Sequence, residues 1–131
     1  MRFTFYSDVH FEKWSWRNST ESGIGGSETC HVELCRRLAA RGHEVVSYSP
    51  LPENETERDK FGVQWRDLSE ADFTRDGIWV VFRNAECVEQ MTGTNQRIWL
   101  MCQDEVPRGL TPERCGKIET VMALCGWHAN H

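Results

Sequence analysis

No apolar run in this chain approaches the ~20 residues that cross a bilayer, so no transmembrane segment is expected. The opening residues, Met1-Arg2-Phe3-Thr4-Phe5-Tyr6, carry no long apolar stretch of the kind found in a secretory leader. A cytoplasmic, reduced protein is the expectation, its six cysteines mostly buried as small hydrophobes. Positive charge is scarce as well. The 15 Lys and Arg against 20 Asp and Glu leave a formal charge of −5, and no basic stripe offsets it, which argues against a nucleic-acid partner. The most basic cluster, Arg36, Arg37 and Arg41, falls on one predicted helix and reads as its solvated face. Zinc-type spacing is missing too. Neither Cys125 with His128 and His131 nor Cys30 with His31 and Cys35 forms two paired clusters, so no metal is expected. Around Ser27 there is no Gly-x-Ser-x-Gly elbow, which disfavours a nucleophile-based hydrolase.

What is present is an ordinary globular composition, 27% charged and 39% hydrophobic, at a length that suits one domain over residues 1–131. The chain is organised around Gly23-Ile24-Gly25-Gly26-Ser27-Glu28, a glycine-rich turn that feeds a helix. Glycines let the backbone adopt φ > 0 and let another molecule come close. Ser27 is a candidate N-cap, and Glu28 places a carboxylate in the first turn, where the helix dipole favours it. Bare N–H groups at such a place seat a phosphate or carboxylate; the alternative is a turn that merely joins strand to helix.

Hydrophobic patterning predicts strands at 2–6, 44–49, 63–65, 78–82, 97–102 and 121–125. A helix is predicted from Ser27 to about Arg41, with Val32, Leu34, Cys35, Leu38 and Ala39 on one arc and Gly42 as its stop. Asn84 to Met91 reads as a short helix, and Thr111-Pro112-Glu113 as an N-cap followed by proline at the first helical position. The acidic stretch from Leu51 to Lys60 reads as a solvated loop. Residues 7–26 form a connection longer than the usual 2–6, and unusually long loops are often functional. Within it, Trp14 and Trp16 are either a sugar-stacking or partner surface, or anchors that pin the loop to the domain.

These elements make a single α/β domain of Rossmann-like type. The expected architecture is a doubly wound parallel sheet of about six strands in three α/β/α layers, with strand order 3-2-1-4-5-6. Ligands of such sheets bind at the carboxyl ends of the strands, where the order reverses. That rim gathers the glycine turn, Arg83-Asn84 after the fourth strand and Gln103-Asp104-Glu105 after the fifth.

Gly23-Ile24-Gly25-Gly26-Ser27-Glu28, followed by Leu34 to Leu38 and Gly42-His43-Glu44-Val45, resembles the N-terminal domain of retaining GT-B-fold glycosyltransferases. Leu124-Cys125-Gly126-Trp127-His128 is similar to the start of the helix after that family's sixth strand. The dinucleotide fingerprint fits less well: its glycine spacing differs, and Tyr48-Ser49-Pro50 stands where a ribose-binding carboxylate belongs.

The resemblance implies transfer of a sugar, of hexosyltransferase type, from a nucleotide-diphosphate donor to a small-molecule acceptor, without a cofactor. It implies that Gly25, Gly26, Ser27 and Glu28 bind the donor diphosphate and that Asp104 is catalytic, although Gln103 replaces the histidine that often precedes it. Arg83, Gln103, His31 and Trp16 become acceptor or phosphate contacts. Arg83 is equally open to a salt bridge with Glu86 or Asp104, and His31 to being a satisfied core histidine. The family's second, donor-binding domain is absent from these residues, so little or no activity is expected of this chain alone. A C-terminal domain or another polypeptide would complete the cleft, whereas a homodimer that covers the rim would favour the alternative. That alternative is a non-catalytic binding or self-assembling module on the same scaffold.

Overall fold

The computed structural model describes residues 1–8, 13–15, 26–52, 57–58, 60–102 and 109–122. The first strand, β1 (Arg2–Tyr6), is aromatic and nearly all buried. Helix α1 (Gly26–Ala40) follows, then β2 (Glu44–Ser49). Between them Gly42 takes φ 91 and stops the helix. Its N–H donates to the Ala39 carbonyl (3.0 Å) and that of His43 to Leu38 (3.2 Å), so two carbonyls orphaned by the helix end are satisfied. A two-residue β3 (Glu57–Arg58) and β4 (Gln64–Asp67) come next, followed by a 3-10 turn over Leu68–Glu70 and the strand β5 (Gly77–Phe82). A second 3-10 segment (Ala85–Gln90) leads to β6 (Gln96–Met101), the one-turn helix α2 (Pro112–Cys115) and β7 (Thr120–Met122).

The sheet order is β3-β4-β2-β1-β5-β6-β7. Every pairing is parallel except β3 with β4. The six parallel strands therefore run in the doubly wound 3-2-1-4-5-6 order, and β3 is an antiparallel addition at one edge. This corrects the expectation of a plain loop from Leu51 to Lys60: Glu57 and Arg58 pair through their backbones with Trp65 and Gln64.

The alternation of side chains along the strands divides the core in two. Phe3, Phe5, Val45, Ile78, Val80 and Phe82 face α1, where they meet Val32 and Cys35. Tyr6, Val46, Tyr48, Trp79, Val81, Ile98 and Leu100 form the opposite face. That face is covered by Ala85, Cys87 and Val88 of the second 3-10 segment and by Phe73, Leu110 and Ile118 from connections. The layer expected to be helical there consists, among the described residues, of 3-10 turns and one short α-turn. The cap of α2 is as anticipated: Thr111 accepts from the Arg114 N–H at 3.2 Å, with Pro112 in the first turn.

Arg36 departs from its expected solvated place. It is only 8% exposed, because Phe61 from the approach to β4 lies against it, the guanidinium 4.9 Å from the ring centroid. Arg37 stays exposed beside Glu33. No described helix is long and apolar enough to cross a membrane.

Candidate functional site

The reversal of strand order falls between β1 and β5, whose carboxyl ends lie side by side. Chain direction therefore brings Ser7 and Asp8 next to Arg83 and Asn84. Asn84 is 6% exposed, and its side-chain amide donates to both oxygens of Asp8, at 3.1 and 3.4 Å. Its own amide oxygen accepts from the Glu86 N–H at 3.0 Å and caps the 3-10 segment. One side chain thus ties the end of β1 to the start of the segment that follows β5.

Arg83 holds the strained position of the rim. It has φ 69, the sole positive φ of a non-glycine residue among those described. The Asn84 N–H donates back to the Phe82 carbonyl at 2.8 Å, closing a three-residue turn around Arg83, while the Arg83 N–H remains in the sheet on Met101 (3.0 Å). Such a conformation costs on the order of 1–3 kcal/mol and concentrates at functional positions.

The titratable groups beneath the rim are held protonated. Burial, helped by the Asp8 charge, pushes the Tyr6 hydroxyl up to about 12. Burial and then Asp8 likewise push the Cys87 thiol up to about 12, and its Sγ donates to the Asn84 carbonyl at 3.4 Å. Neither group is a base or nucleophile near neutral pH. What the described rim offers is a fixed carboxylate, a strained arginine and the N-terminal end of α1. These are features for binding a polar ligand.

The structure distributes the sequence-derived candidates unevenly. Gly25, Trp16, Gln103 and Asp104 lie outside the described residues, as do the other residues of 16–25. Gly26, Ser27 and Glu28 form the first turn of α1. Because the helix starts at Gly26, Ser27 sits inside that turn and the capping position precedes it. His31 is 1% exposed and lies on the core side of α1. Its Nε2 is 2.7 Å from the Ser47 hydroxyl, and its ring stacks on Phe82 with centroids 4.7 Å apart. Burial drives its pKa down to about 3, so it is neutral there.

Trp14 is 1% exposed and packs edge-on against His31 and Trp65. It anchors its loop to the domain, and its backbone N–H donates to the Pro50 carbonyl at 3.0 Å. Asp8 was not singled out from sequence. Its signal was position alone, two residues beyond β1 on the rim where ligands of this architecture bind.

Among the described residues no group of three His, Cys, Asp or Glu could hold a metal ion. The Cys125, His128 and His131 set lies outside them. No protein-family model matches the chain, and no curated protein or solved structure matches it.

Proposed function

We propose that this domain is the acceptor-side half of a sugar transferase of the GT-B type, and that its rim receives the diphosphate of a nucleotide-sugar. The observation that supports the reading is where the strand order reverses: the first turn of α1, which begins at Gly26, follows β1, and the Asp8–Asn84 pair ties the carboxyl end of β1 to that of β5. Helix N-terminal N–H groups favour a diphosphate, and a carboxylate pinned by Asn84 suits the hydroxyls of a sugar. Transfer also needs stabilisation of the leaving phosphate from across a cleft, so the domain by itself binds and does not turn over. Calorimetric titration of the chain with UDP, GDP and ADP, repeated on Gly26→Val, tests this. Saturable binding of one nucleotide that the substitution abolishes supports the reading. Binding indifferent to the substitution, or binding of none, refutes it.

A second reading, a self-assembling or binding module without chemistry, is favoured by one observation. The large exposed hydrophobics among the described residues are Met1, Phe61 and Val121, and none of them stands on the rim. A cleft face made to pack on another domain would carry an apolar patch there. Sedimentation of the chain decides between the two: a dimer that buries the rim supports the module, and a monomer supports the transferase half.

A further inference from the structure

A groove of about 270 Å³ crosses β2 and β4 on the sheet face opposite α1, lined by Val46, Tyr48, Gln64, Arg66, Glu70 and Arg75. It exists because the crossover from β4 to β5 is short. Residues 68–76 hold one 3-10 turn over Leu68–Glu70 and a turn in which Asp72 accepts from Thr74, too little chain to lay a helix over these strands. Polar side chains line the space a helix would otherwise fill.

The positive groups of this groove are under-satisfied. With the Gln64 amide oriented by its surroundings, its oxygen accepts from Arg66, with Nε at 2.9 Å. No carboxylate pairs with Arg66 among the described residues, although Glu70 lines the same groove. Glu70 is committed elsewhere: its carboxylate accepts from the Asp67 N–H at 3.2 Å as part of a capping box. Arg75 enters from the other side. Its Nε donates weakly to Thr4 Oγ1 at 3.4 Å, and its Nη2, buried, is 3.5 Å from the Glu44 carboxylate without forming a hydrogen bond. Arg75 thus has a partner for part of its charge, while Arg66 has an amide and, among the described residues, no counter-charge.

We infer that this groove binds the anionic group of a small molecule, a phosphate or a carboxylate, on Arg66 with Arg75 as the second donor. A guanidinium matches either oxyanion through paired N–H groups, and two of them from different elements confine it. The volume sits just below the ordinary range for ligand pockets, which restricts the occupant to a small metabolite. The remaining carboxylate oxygen of Glu70 and the Gln64 amide suit hydroxyls on that molecule. This site lies on a face of the sheet, apart from the rim, and the inference does not rest on the transferase reading.

The test is a titration followed by backbone NMR, with sodium phosphate in one arm and sodium acetate in the other, at ionic strength held constant with chloride. The expected result is saturable shifts at Tyr48, Gln64, Arg66 and Arg75 in at least one arm, with a dissociation constant on the order of 1 mM. Arg66→Gln should weaken that binding by about tenfold or more. Its urea midpoint without ligand should stay unchanged, which separates loss of the site from loss of the fold. Saturation by neither anion, shifts away from these residues, or equal binding by Arg66→Gln would each overturn the inference.

Discussion

His31 provides a sharp physical test of the core described above, because a neutral imidazole buried in an aromatic stack makes stability depend on pH. The unfolded chain takes up a proton on this residue below ~6.5, whereas the folded chain resists until about 3. The stabilisation is therefore complete above the unfolded value and is lost as pH falls through the window between the two. At ~1.36 kcal/mol per pH unit the whole window corresponds to about 5 kcal/mol, and the stretch from pH 6.5 to pH 4 to about 3 kcal/mol. Against a typical total of ~5–15 kcal/mol this is large.

The perturbation is His31→Phe, which keeps a ring against Phe82 and removes the titrating nitrogen. At pH 7 the variant should be less stable by about 1–3 kcal/mol, since the buried Ser47 hydroxyl loses its partner. Carboxylates titrate in both proteins, so the informative quantity is the difference between them. Urea denaturation at pH 7, 6, 5 and 4 should show that difference shrinking by about 3 kcal/mol, far enough to cancel or reverse the variant's deficit at pH 4. A difference that stays constant across the series would mean that His31 is not a buried neutral residue, and would refute the reasoning.

Gly77 has φ 102, and an added Cβ would lie 2.6 Å from the Arg2 carbonyl oxygen, so Gly77→Ala should cost about 1–3 kcal/mol and lower the thermal midpoint; an unchanged midpoint contradicts the close approach of β1 and β5. Trp65 is fully buried against Trp14 and His31, so Trp65→Ala should destabilise by about 3–5 kcal/mol in urea denaturation. Asn84→Ala removes a cap and the donor to Asp8, and should cost about 1 kcal/mol while shifting the backbone NMR signals of Asp8 and Glu86 together. With its thiol pushed up to about 12 and buried, Cys87 should resist iodoacetamide at pH 8 long after the exposed Cys115 has reacted, as mass spectrometry would read; equal rates would show that Cys87 is accessible.

Much of the architecture was legible because parallel strands buried on both faces read as plain apolar runs. The bounds of β1 and β2 agree with their sequence patterns residue for residue, and the six parallel strands take the default order of the doubly wound class. Gly42 was legible for a similarly local reason, since its positive φ and two backbone bonds are needed to end α1. What escaped depends on partners distant in sequence. Glu57-Arg58 has no hydrophobic signal, and its strand exists through pairing with β4. Arg36 looked solvated on the helical wheel because the wheel does not include Phe61. The rim was placed by topology, yet the Asp8–Asn84 link joins residues 76 positions apart, and no local pattern announces it. The 3-10 form of Ala85–Gln90 is set by the Asn84 cap and by Ala85, Cys87 and Val88 packing onto the sheet, beyond the reach of propensity alone.

The central proposal places a nucleotide diphosphate on the rim where the strand order reverses. Backbone NMR of the chain titrated with UDP, GDP and ADP tests it most directly, since it reports where a ligand sits as well as whether it binds. One nucleotide should shift Gly25, Gly26, Ser27 and Glu28 together with Asp8, Arg83 and Asn84, on one saturation curve. Shifts confined to the Arg66 and Arg75 groove, or no saturable shifts from any of the three, would contradict it.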